Sequence, residues 1–178
     1  MEQRYDLSGS LLHWYDYNKR ILPWRENKDP YRIWISEIML QQTRVEAVKP
    51  YFDRFMEVLP TVYDLAKVDD DRLMKLWEGL GYYNRARNLK AAAQTIVEEY
   101  GGQLPADYDK LLSLKGIGMY TAGAIGSIAF ELQVPAVDGN VLRVLTRLWG
   151  DDSDILKDKT KKAMGRRVKT DREILIRH

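Results

Sequence analysis

An all-α fold is predicted by three observations on the sequence. Apolar residues recur at helical spacing along nearly the whole chain. Acidic or hydroxyl residues stand where helices would start, and glycines where they would stop. No run alternates over enough residues to build a sheet. At 178 residues the chain suits one compact domain, or two lobes sharing a core.

Leu7 to Tyr17 reads as an amphipathic first helix. Asp29 at the N-cap and Pro30 at the first helical position launch a second, through Gln42. Arg44 to Val58 has apolar residues at 45, 48, 52, 55 and 58, with Pro50 expected to bend or split it. Thr61 caps "VYDLAKV", and Asp70 caps "DRLMKLWEGL", which Gly79 or Gly81 ends. "YYNRARNLKAAAQTIVEEYGG" is a long helix stopped by its glycine pair. "DYDKLLSL" and "MYTAGAIGSIAF" are two helices joined by the tight turn "KGIG". After "QVPAVDGN" the last clear helix is "VLRVLTRLWG".

Composition sets limits on function. With no cysteine, a disulfide framework and thiolate-held metals or clusters are excluded within these residues. No apolar stretch approaches the roughly 20 residues of a membrane span, and no secretory leader is recognisable, so a cytoplasmic protein is expected. The net charge of +2 hides a division. Residues 157–178 carry nine Lys/Arg against three Asp/Glu, while the remainder carries 19 against 23. Global charge is thus no argument for a polyanionic partner, and a case for nucleic acid must rest on local features.

Four segments are able to carry chemistry. Glu37 sits in the apolar run "WISEIML", on a helical face with Ile33, Leu40 and Gln41. Partial desolvation there raises a carboxyl's pKa and favours a proton donor. A buried acid satisfied by an arginine or by helix amides is the plainer reading. In "LLSLKGIGMYTAGAIGSIA", Gly116 and Gly118 permit a tight hairpin whose amides open the second helix, a phosphate site that needs no Lys or Arg. An ordinary αα-hairpin is the alternative. Asp138 precedes Gly139 and Asn140 at a loop-to-helix junction, where N-cap duty and an ionised carboxylate are both favoured. A protonated Glu37 beside an ionised Asp138 would be a working carboxylate pair. In "WEGLGYYNRARNL", two glycines display Leu80, Tyr82 and Tyr83 ahead of Arg85 and Arg87. Such tips wedge between bases and contact phosphates, or else they are core.

These segments occur together and in this order in the helix-hairpin-helix DNA glycosylase superfamily. "LPWR", "DPYRIWISEIMLQQTRVEAVKPYF", "LWEGLGYYNRARNL", "LKGIGMYTAGAI" and "VDGNVLRVLTR" resemble the MutY-type adenine DNA glycosylases, across roughly residues 8–150. The resemblance implies two helical lobes flanking a cleft. An N-terminal helix at 1–20 would pack with the second lobe. A six-helix barrel lobe at 21–132 would contain the helix-hairpin-helix at 107–130. Residues 133–156 would begin the second, cluster lobe, left incomplete, and 157–178 would be a basic tail.

It also implies base-excision repair of double-stranded DNA. Adenine mispaired with 8-oxoguanine or guanine is flipped out and its N-glycosidic bond hydrolysed. Glu37 matches the acid that protonates adenine, and Asp138 the carboxylate that stabilises the oxocarbenium ion. Tyr120 and Asn140 match residues supporting this centre. Trp24 and Arg25 match the adenine-pocket wall, Gln42 and Thr43 contacts near the mispair, and Leu80 and Tyr82 an intercalating loop. Endonuclease III-like relatives carry at position 120 a lysine that forms a Schiff base; Tyr120 implies a monofunctional glycosylase.

Some features depart from that pattern. Lys115 replaces the hairpin's usual proline. The family's four cysteines and 4Fe–4S cluster lie beyond this sequence, so no cofactor is expected here. Truncation is expected to expose apolar surface around Val141, Leu145 and Leu148, inviting self-association. The basic tail would then stay disordered or contact phosphates. A catalytically inactive DNA-binding remnant is the alternative to an active core, and a helical interaction module a third. A bacterial, nucleoid-associated location is the expectation that follows. "MGRRVK", if encoded ATG GGA AGA AGA GTT AAA, reads Trp-Glu-Glu-Glu-Leu one nucleotide later, which suggests a frameshift near Ala163–Met164. Other codons at this point, or an immediate stop in the shifted frame, would dispose of it.

Overall fold

The computed structural model describes residues 7–170. Its helices are α1 (Leu7–Asn18), α2 (Pro30–Leu40), α3 (Val45–Val58), α4 (Val62–Lys67) and α5 (Asp70–Trp77). They continue as α6 (Asn84–Tyr100), α7 (Tyr108–Ser113), α8 (Met119–Phe130), α9 (Gly139–Trp149) and α10 (Asp158–Thr170), with a 3-10 turn at Pro23–Arg25. No strand occurs among the described residues.

The chain stops and starts largely through local chemistry. Asp29 accepts from the Tyr31 amide at the start of α2 (2.9 Å), with Pro30 behind it. Thr61 and Asp64 form a reciprocal capping box on α4. α6 ends at Gly101 in the left-handed conformation, and the Gly102 amide reaches back to the Ile96 carbonyl (2.9 Å).

Four expectations about the elements are corrected. α5 is capped by Asp69, whose carboxylate takes the Arg72 amide (2.9 Å); Asp70 is already helical and pairs with Lys90 instead. α3 runs unbroken through Pro50, because Val48, Phe52 and Phe55 on both sides of it are fully buried and hold the two halves in one register. That packing outweighs the roughly 3 kcal/mol an interior proline costs. α2 ends at Leu40 rather than Gln42, since Gln42 turns to a φ of 59°. The basic tail is helical over Asp158–Thr170, with Met164 and Val168 buried one turn apart.

α2 is the axis of the molecule. Trp34, Ile35 and Met39 are wholly buried, and α2 packs against α8 and α3. The main core runs from Leu22 to Ile125. From Gly9 onward α1 adds no buried residue to it; these residues are exposed or half-buried, and Tyr15 meets the Arg25 guanidinium at 5.9 Å. Leu142, Leu145, Met164 and Val168 are buried outside the main core. The Arg167 guanidinium lies 3.7 Å from the centre of the Trp149 ring, joining α10 to α9. Leu145 is therefore covered, against expectation, at 4% exposure; Val141 is half-buried, and Leu148 is open at 52%. Met164→Ala should cost about 2–3 kcal/mol in urea unfolding. Val144→Ser, on the open face of α9, should change stability by less than about 0.5 kcal/mol.

Candidate functional site

Most side chains of α2 are buried, and Glu37 stands on the face left uncovered. That face opens on a cleft of about 900 Å³, lined also by Trp24, Arg25, Gln42, Tyr120 and Asp138. The two carboxylates, 101 positions apart in sequence, thus share one cleft. Burial pushes the Glu37 carboxyl above its ordinary value, and the negative Asp138 pushes the same way; the Tyr120 hydroxyl, within hydrogen-bonding reach, and the Arg25 cation partly oppose this. Burial also raises the Tyr120 phenol well above its usual range, with Glu37 and Asp138 adding to the effect, so Tyr120 remains a donor.

Asp138 is placed by backbone rather than by a helix face. It is the N-cap of α9, accepting from the Val141 amide (2.8 Å) and from Asn140 Nδ2 (3.0 Å). Both oxygens are held as acceptors. The segment that brings it there lies directly on α8, where a Cβ on Gly123 would stand 2.2 Å from the Pro135 carbonyl oxygen. Only glycine lets the two backbones approach so closely.

The 3-10 segment is tied to α2 by Arg32, whose Nη2 donates to the Pro23 carbonyl (2.9 Å). Its guanidinium lies 5.1 Å over the Phe52 ring. Trp24 packs edge-on against Phe52 (5.3 Å), so the cleft wall is fixed to the core. Arg25 remains exposed at the rim, and Lys19, Arg20 and Lys28 also line the cleft.

The hairpin glycines divide their roles. Gly116 takes a φ of +80°, and a Cβ there would press on Asn88 at 2.7 Å. Gly118 is extended, a conformation open to any residue. What its missing side chain does is leave the N-terminus of α8 without a side-chain cap, so the first-turn amides stay available.

Two sequence readings fail at the 79–83 loop and the start of α6. Leu80 is buried in the core at 6% exposure, so the loop presents Tyr82 (66% exposed) and Tyr83 instead. Arg85 faces inward and bonds backbone carbonyls, including Ile38 and Leu80, rather than standing free for phosphate. The acceptors on α2 lie more than 40 positions away, and nothing local signals them. Thr43 donates weakly to the Gln41 carbonyl (3.4 Å), while Gln42 is exposed on the cleft. Ser36 and Gln41, both inside the motif around Glu37, also line the cleft, as do Lys19 and Arg20, which no motif marks.

A 4Fe–4S cluster needs thiolates, and these 178 residues contain none. Among the described residues no group of His, Asp or Glu is placed to hold a metal ion. Also among them, no helix is long and apolar enough to cross a membrane.

An all-helical body with a glycine-turned hairpin and two carboxylates on one cleft defines a helix-hairpin-helix protein. A family model of the HhH-GPD superfamily of base excision DNA repair proteins matches residues 35–170, and the chain belongs to that superfamily. It is 47% identical over 154 residues to an adenine DNA glycosylase of Rattus norvegicus, covering 82% of this chain and 30% of that protein. The adenine DNA glycosylase of Buchnera aphidicola (subspecies from Acyrthosiphon pisum) is 45% identical over 157 residues, covering 88% and 45%. The chain thus spans less than half the length of these curated relatives. Among solved structures it resembles a thermostable thymine-DNA glycosylase (TM-score 0.83, 29% identity, 94% of this chain and 80% of that one). It also resembles endonuclease III in a trapped covalent intermediate with DNA (TM-score 0.70, 28% identity, 85% and 72%).

Glu37 weakens the fold at neutral pH. Below the ordinary value of 4.5 the folded and unfolded chains both hold its proton. Above that value the unfolded chain releases it first, so stability falls with rising pH until the raised folded value is passed. Glu37→Gln should therefore melt at a higher temperature than wild type at pH 7, and the advantage should vanish below pH 4.5.

Proposed function

We propose that this chain is the catalytic core of an adenine DNA glycosylase acting on double-stranded DNA with adenine opposite 8-oxoguanine or guanine. The observation that carries the reading is Glu37, pushed toward its protonated form, on the same cleft as Asp138, whose carboxylate accepts from two N–H donors. The names of the relatives support the choice of adenine.

The reacting bond is inaccessible in a stacked duplex, so the adenine nucleotide is extruded into the cleft. Glu37 gives its proton to a ring nitrogen of adenine, turning the base into a neutral leaving group. The bond between the base nitrogen and C1′ breaks, its electron pair goes to the base, and positive charge gathers on the sugar. Asp138 faces that charge as a carboxylate, and Asn140 orients it. Water then adds at C1′ and gives up a proton to the carboxylate that Glu37 has become, leaving an abasic site and free adenine with the acid restored. Trp24, Arg25 and Gln42 border the base and the mispair, with Thr43 beside them. The uncapped α8 terminus behind Gly116 and Gly118 meets a backbone phosphate. Arg20 and Arg25 on the rim offer positive charge to a duplex, while Lys19 and Lys28 beside them are paired with Asp16 and Glu131. Tyr120 offers no amine for a Schiff base, so base removal proceeds without strand cleavage at that position. A cytoplasmic, nucleoid-associated location fits this substrate, and Leu148 and Val144 offer a surface for self-association.

Single-turnover release of adenine from an 8-oxoguanine·adenine duplex tests the reading. Glu37→Gln should lower the rate by roughly 10²–10⁴. The wild-type rate should decline as pH rises through the elevated Glu37 value. Release no faster than in Glu37→Gln would instead favour an inactive DNA-binding remnant.

A further inference from the structure

Arg85 lies in the first turn of α6, yet its guanidinium serves two loops at once. Nη1 donates to the carbonyls of Ile38 (2.8 Å), Met39 (3.2 Å) and Gln41 (2.7 Å). Nη2 donates to the carbonyls of Leu80 (2.9 Å) and Gly81 (3.3 Å). The rings of Trp77 and Tyr82 lie 5.4 and 5.5 Å from it. The first set are the last carbonyls of α2, the negative end of its dipole. The second set belong to the turn that presents Tyr82.

Each of these loops carries one exposed, non-glycine residue at positive φ, Gln42 at 59° and Tyr82 at 48°. Side chains disfavour that region, and such residues persist where the surroundings over-determine them. Arg85 contacts the backbone beside both, joined at the second loop by Trp77 Nε1, which donates to the Gly81 carbonyl (3.0 Å). Arg85 does so at a cost, since its Nε is buried without a partner. Gln42 lines the Glu37–Asp138 cleft, and Tyr82 projects from the neighbouring loop.

We infer that Arg85 is a positioning residue, whose planar fork clamps the loop at 41–43 to the loop at 79–83 so that Gln42 and Tyr82 engage a duplex as one preset unit. This rests on the proposed reading that the chain acts on DNA. A lysine keeps the charge but presents its donors from a single point, so it cannot span both sets of carbonyls. Loops held in place before a duplex docks lose less freedom on binding.

A double-mutant cycle with Arg85→Lys and Tyr82→Ala tests it. Affinity for an 8-oxoguanine·adenine duplex is measured at fixed salt, well below each variant's melting temperature. Each single variant should weaken binding by about tenfold, roughly the effect of losing one anchoring contact. The double variant should bind no worse than the weaker single one, since both changes remove the same unit. The pH profile of adenine release should keep its position in Arg85→Lys, because Glu37 is untouched. A folded Arg85→Lys that binds like wild type overturns the clamp. So do losses that multiply in the double variant, a displaced pH profile, or a wild type that binds no duplex. If Arg85→Lys does not fold, Gly81→Ala replaces it in the cycle with the same expected losses. A Cβ there meets nothing within 4 Å, but the φ of +70° disfavours alanine and loosens the same loop. Coupling in binding without any adenine release would retain the clamp and reject the glycosylase reading. Adenine release with multiplying losses would do the reverse.

Discussion

Desolvating a carboxyl raises its pKa, and α2 imposes that condition on Glu37 by being buried on its other faces. Removal of water works against the stability of the folded chain above the ordinary carboxylate range. The same removal prepares a proton donor. Stability lost and reactivity gained come from a single placement, a familiar relation at working sites. The large apolar side chains around Glu37, Trp34 and Met39 among them, keep its helix from shifting to relieve the strain.

The partner carboxylate arrives by a different route. Asp138 is set at a helix start by two N–H donors, and its approach depends on Gly123 letting one backbone lie on another. One acid is thus defined by the interior of a helix layer and the other by a loop pressed against it. Tyr120, near the start of α8, touches both environments. These placements desolvate Glu37 and surround Asp138 with N–H donors.

Much of the fold was legible because its signals are local. Asp29–Pro30, the Thr61–Asp64 box and the Gly101–Gly102 stop each act within a few residues, and each reads directly from the sequence. Failures occurred where two adjacent residues were chemically equal, as with Asp69 and Asp70, so that only backbone conformation chose between them. α10 was missed because its apolar pair, Met164 and Val168, lies in a run of Lys and Arg that reads as solvated. Leu80 was misplaced because a leucine between glycines looks displayed, although its side chain turns inward to the core.

By itself the sequence determined the helices, the hairpin and the candidates for acid and anion, since caps, periodicity and motif order act over short spans. Tertiary structure alone decided that Glu37, Tyr120 and Asp138 face one cleft, and that Arg85 serves carbonyls instead of phosphates. The reason is range. A helix face or a cap is defined within about one turn, whereas burial and Coulomb coupling depend on atoms contributed from distant parts of the chain.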